Sequence, residues 1–235
     1  GGSLMTRVLV PVAVLDGETV SSGLMALLGT VDVTVLGYHV LPEQTPPDQA
    51  RSQFEDRATA ALVDLREEFE AAGGAADHRL VFTHDREQTM TRVADDVDAG
   101  VYAISGATGD VEDLLVSLSA PVDTDRLAEF VIELVGDRPI AVTLFLPTAS
   151  EDDTDARLDA ATDRLRAAGV DVSTKTATGP PFESLLAAAV DHDAIVMGER
   201  APSLRSLVFG DEADRVAEAS VGPVLVLRAP SDVQP

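Results

Sequence analysis

Short apolar runs of strand length alternate with longer segments of helical periodicity along almost the whole chain, and that alternation leaves few folds open. The runs are RVLVPV (7–12), VDVTVLGYHV (31–40), RLVFT (79–83), VYAIS (101–105), DLLVSLS (113–119), PIAVTLFLP (139–147), VSTKTAT (172–178), AIVMG (194–198) and PVLVLR (223–228). Between them lie helix candidates at Glu18–Leu28, 54–72, 86–98, Asp123–Val135, Asp152–Ala168, 182–190 and Asp211–Ser220. The clearest places Phe54, Ala58, Ala61, Leu62, Leu65, Phe69 and Ala72 at helical spacing and stops at Gly73-Gly74. Strand–helix alternation of this kind predicts an α/β fold built on a mostly parallel, doubly wound sheet.

The series runs twice. EAAGG (70–74) answers RAAGV (166–170), and VDAGVYAISG (97–106) answers VDHDAIVMG (190–198). Six residues separate Gly106 from the next strand at Asp113, whereas 24 lie between Gly198 and Pro223, room for a loop and a helix. The reading is two fused repeats, 5–110 and 111–230, the first truncated by its last helix and strand.

Composition narrows the function. The chain has 235 residues, a formal net charge of −24 and no Cys, which excludes disulfides, zinc–thiolate sites and cysteine catalysis. The 41 acids are 26 Asp and 15 Glu, and the 17 bases are 16 Arg and one Lys, Lys175. Such a balance resembles proteins of salt-accumulating halophilic archaea, whose carboxylates hold water where molar salt shortens the Debye length to about 3 Å. With no basic patch to neutralise phosphates, DNA or RNA binding is not expected. No apolar run approaches the roughly 18–20 residues of a membrane span. The opening GGSLMTRVLV has no basic-then-apolar leader, and Gly1–Leu4 read as a cloning remnant before Met5. A cytoplasmic protein without membrane insertion is the expectation.

In a doubly wound sheet, ligands sit at the carboxyl ends of the strands beside the switch in strand order. In the second repeat those ends hold Ala120-Pro121-Val122-Asp123 and Gly198-Glu199-Arg200-Ala201, followed by Phe209-Gly210-Asp211 at a helix start. A glycine after a strand and another at a helix start let backbone N–H groups approach a phosphate.

These segments, with RVLVPV, VTVLGYHV, AIVMG and GPVLVLR, give a chain that resembles the universal stress protein family in a tandem form over nearly its whole length. The resemblance implies a five-strand parallel α/β fold per repeat, related to other adenine-nucleotide folds, and dimers or fused pairs. Its ATP-binding members carry an Asp after the first strand, for adenine, and G-x2-G-x9-G-[S/T] after the fourth, for ribose and phosphates. Carried over, Asp123 takes the adenine side, Gly198 the first glycine and Gly210 the third in a loop one residue shorter. The second glycine position is Ala201, and the hydroxyl position is Asp211. The first repeat keeps Gly106-Ala107-Thr108-Gly109, but Ser119 stands at the third glycine, its adenine position falls on Ala13, and Asp16 is displaced by an insertion.

A carboxylate in the first turn of a helix satisfies free N–H groups and the dipole unaided. Asp211 thus fills electrostatically the place of a phosphate, and Glu199 adds a like charge that Arg200, Arg205 or Mg²⁺ soften without abolishing. The expectation is an eroded nucleotide site with no cofactor; the alternative is ATP or AMP held through Asp123, Gly198 and Gly210. His192 with Asp191 and Asp193 has metal-ligating chemistry, but reads as a solvated helix end. His39 reads as packing, and His84-Asp85 as a helix start. No serine elbow, carboxylate pair or phosphate loop ending in Lys is present, so no catalytic residue is assigned. The acidic face of 48–72 reads as solvated surface. What is left is a regulatory, scaffolding module acting by association with a protein partner. The strand 223–228 would pair within the fused chain as a pseudo-dimer or across a homodimer.

Overall fold

The computed structural model describes residues 6–104, 106, 108–118, 123–146, 152–198 and 222–229. The chain divides into two compact units, 1–105 and 106–235.

In the first unit, β1 (Arg7–Val12), β2 (Asp32–Val40), β3 (Ala76–Thr83) and β4 (Val101–Ile104) run parallel in the order β3-β2-β1-β4. Val8 through Val12 are all buried, because helices on a parallel sheet leave neither face of its central strand to water. The long helix α2 (Pro47–Ala71) follows β2. Pro47 sits in its first turn, where a missing N–H costs nothing. Ala58, Leu62, Leu65 and Phe69 form its buried stripe. Leu62 seats on Gly37 of β2, where any Cβ would come within 2.6 Å of its Cδ1. Burying such a leucine contributes about 1.5–3 kcal/mol. The helix α3 (Arg86–Asp96) then leads from β3 to β4.

One expected helix is corrected. The segment Glu18–Leu28 does not begin at Glu18. A 3-10 turn, Val14–Asp16, follows β1 and is closed by Gly17 at φ 77°. The helix proper, α1, is Ser22–Leu27, started by Ser21, whose hydroxyl accepts the Leu24 amide at 3.4 Å. Left-handed backbone at Gly17 prevents a helix from running back through it.

In the second unit, β5 (Asp113–Ser117), β6 (Ala141–Leu146), β7 (Asp171–Thr176), β8 (Ala194–Gly198) and β9 (Val224–Leu227) are parallel in the order β9-β8-β5-β6-β7. Its described helices are α4 (Thr124–Val135), α5 (Asp152–Ala167) and α6 (Pro181–Ala189). Apart from the added β9, the strand order repeats that of the first unit. Lys175 is exposed on β7, as expected of its place in a weakly apolar strand. The helix expected over Asp211–Ser220 lies outside the described residues.

Glycine is required just before β9. A Cβ on Gly222 would collide with the Asp193 carbonyl oxygen, and one on Gly106 would lie 2.7 Å from the Gly222 carbonyl carbon. Gly106, read in the sequence as the first glycine of a G-x2-G, is thus needed where two backbones touch.

Candidate functional site

The chain leaves β5 toward β6 and reaches β9 from β8, while β5 and β8 are themselves paired neighbours, Leu114 with Ala194 through Val116 with Val196. Strand order therefore switches between these two, and the crevice expected for a ligand opens beyond Ser117 and Gly198. Gly198 ends β8 buried, in register with Leu227 of β9. Gly210 and Asp211 lie outside the described residues, as do Glu199, Arg200, Ala201 and Arg205.

Asp123 heads α4. Its backbone is extended (φ −74°, ψ 102°), and its Oδ1 accepts the amides of Asp125 and Arg126 at 3.1 and 3.2 Å. These bonds satisfy two of the four amides that every helix start leaves open. The carboxylate expected on the adenine side is thus a helix cap, with one oxygen committed. Arginines surround this first turn. Arg126 Nη1 donates to the Arg228 carbonyl at 3.2 Å, tying α4 to the end of β9. Arg157 Nε donates to Thr124 Oγ1 at 3.2 Å, and Arg164 bonds Asp125 and Glu129 at 3.1 and 2.5 Å. Anions at the helix start and cations beside them are the favourable order of charge.

The His192 neighbourhood is structural. His192 Nδ1 donates to the Ala188 carbonyl at the end of α6, 2.7 Å away. Asp193 Oδ2 accepts the amides of Glu112 and Asp113 at 2.9 and 3.0 Å, and its own amide donates to Asp113 O at 2.8 Å. Asp193 is a staple between the starts of β5 and β8. No sequence pattern announced this, because the partners lie 80 and 81 residues apart. Among the described residues no group of three or more His, Asp or Glu side chains is placed to hold a metal.

In the first unit, Ala13 stands at the end of β1 and Asp16 lies exposed in the 3-10 turn. His39 is half-buried, its ring 6.1 Å from Phe54 and 6.3 Å from Phe82, which is packing. Asp85 caps α3 by accepting the Gln88 amide at 3.1 Å. A cluster that sequence reasoning missed lies beside them. Arg86 rests over the Tyr38 ring, 5.1 Å from its centroid. The Glu18 residue is exposed overall, yet desolvation of its carboxyl raises it above its ordinary pKa, against the pull of the Ala13 amide and Arg86. The Tyr38 phenol is raised too, mainly by burial. An open groove of about 500 Å³ runs along α3, lined by Asp85, Glu87, Gln88, Thr91, Arg92 and Asp95.

Residues 137–228, from the turn before β6 to the residue after β9, match the model of the universal stress protein family. The fold is similar to that of a universal stress protein from Archaeoglobus fulgidus DSM 4304: 19% identity, 96% of this chain and 97% of that one covered, TM-score 0.67. A putative universal stress protein from Pseudomonas aeruginosa UCBPP-PA14 is similar at 14% identity over 95% of this chain and 93% of its own, TM-score 0.51. No curated protein matches the chain. Among the described residues no helix is long and apolar enough to cross a membrane.

Proposed function

We propose that this protein is a tandem universal stress protein module, with repeats 5–110 and 111–230, that regulates by association and turns over no substrate. Its nucleotide site, in the second repeat, is eroded. The observation that carries this reading is the engagement of Asp123 as the cap of α4. Asp211 in place of a hydroxyl supports it from the sequence, as does Ala13 in place of an acid in the first repeat. The acidic composition supports a cytoplasm of high salt as the working medium.

A second reading, an ATP or AMP sensor, draws on one feature. The capping bonds of Asp123 use Oδ1, and among the described residues Oδ2 remains for an exocyclic amine. Calorimetric titration of ATP at molar KCl, with and without Mg²⁺, decides between them, with Asp123→Ala alongside. The expected result is no heat up to millimolar ATP. Micromolar binding lost in Asp123→Ala would overturn the eroded-site reading in favour of the sensor. The variant loses a helix cap, about 1 kcal/mol of stability, so its folded state at the working temperature is verified first.

A further inference from the structure

The strand-end crevice of the first unit is filled from within. After β1, the amides of Asp16 and Glu18 both donate to the Ala13 carbonyl, at 3.1 and 3.3 Å. The Ala13 amide in turn donates to the Glu18 carboxylate. Both polar groups of the residue that follows β1, the ones a ligand there would meet, are thus taken by the chain's own loop. Beside the end of β1, where Val12 pairs with Gly37, Tyr38 is buried on β2, and the guanidinium of Arg86, the first residue of α3, covers its ring at 5.1 Å. Arg86 Nε is shut away from water and has no hydrogen-bond partner among the described residues. A donor stranded in this way is held by its surroundings, chiefly by the ring face below.

A guanidinium is flat and stacks on aromatic faces much as a heterocyclic ring does. We propose that Arg86, lying over the Tyr38 ring, is a built-in plug that closes the first unit's crevice to flat, uncharged ring ligands. Charge sets the ligand class. Once the arginine is gone, Glu18 and Asp16 remain at the mouth and repel an anion, whereas a neutral nucleoside base meets only the ring face and two acceptors. The plug belongs to the first unit and is read at Tyr38, so it stands or falls apart from the reading of the second unit.

The test uses the full chain at molar KCl with ¹³C-labelled tyrosine rings. The chain has two tyrosines, Tyr38 and Tyr102, and Tyr102→Phe assigns the Tyr38 signals. Adenosine is the probe. With Arg86 present, millimolar adenosine is expected to leave the Tyr38 ring signals unmoved. In Arg86→Ala it is expected to shift them saturably, with at least tenfold higher affinity, while ATP shifts them far less. Arg86→Gln serves as the second variant, keeping a longer side chain at the start of α3, and circular dichroism verifies that each variant is folded. Equal shifts with and without Arg86 would overturn the proposal. So would a folded variant whose Tyr38 ring becomes open to a soluble paramagnetic probe yet ignores adenosine.

Discussion

Glu18 is a carboxylate whose charge the fold opposes. Partial burial raises its pKa first and foremost, Asp16 adds to the rise, and the Ala13 amide and Arg86 only moderate it. A carboxyl raised above its unfolded value contributes stability in full below the ordinary carboxylate range and loses it as pH climbs through the folded value. The higher the pH, the more of the carboxyl is forced into its charged form and the less of that contribution remains. Glu18→Gln is therefore expected to unfold at higher urea concentration than the parent near neutral pH, with the difference closing toward about pH 3.5. A less stable variant at neutral pH would mean that the contacts with Ala13 and Arg86 outweigh burial. The two site carboxylates differ in how far the sequence revealed them. Asp123 stands directly before an apolar helical stripe, so its capping role could have been read from the same residues that suggested an adenine contact. Nothing near Glu18 announces Arg86, which is brought to it by the return of the chain through β2, α2 and β3.

Among the elements, those with strong periodicity were legible and those set by turn chemistry were not. Of the stripe expected in α2, Ala58, Leu62, Leu65 and Phe69 are buried, Phe54 and Ala61 are half-buried, and Ala72 lies exposed just past the helix end. The start of α1 was misplaced, because the left-handed conformation of Gly17 and the cap at Ser21 decide it rather than any apolar pattern. The strand β9 carries an element-scale prediction. Pro223 O accepts the Ile195 amide, so its polar groups face β8, and by the two-residue period of a strand those of Leu225 face the same way. The amides of Val224 and Val226 point to the opposite side. If 223–228 pairs there, as the proposed association requires, these two exchange with deuterium as slowly as Leu225. Fast exchange at Val224 and Val226 beside a slow Leu225 would dismiss that pairing. Light scattering at molar KCl then tells a second copy from pairing within one chain.

At the scale of the whole molecule, 41 acids against 17 bases set the response to salt. The described ion pairs are exposed, among them Arg51–Glu55 and the two that Arg164 makes. Screening them costs at most about 1 kcal/mol each. Screening the mutual repulsion of a −24 chain acts on every acid at once and favours the compact state. The melting temperature is expected to rise between about 0.1 M and about 2 M KCl, the span in which the Debye length falls below 3 Å. A melting temperature that falls over this range would show the ion pairs to outweigh the repulsion. The α/β class was legible because parallel strands and their crossover helices advertise themselves locally, one after another. The Asp193 staple was not, and its long reach bears on the birth of the protein. All four strands of the first unit have been synthesised by Ile104, whereas β5 waits for Asp193 and β8, 80 residues further along the chain. At ordinary synthesis rates that interval is about 4–16 s. Throughout it, the flank of β5 that β8 will cover stays open, and that wait is when a nascent chain most needs a chaperone's protection.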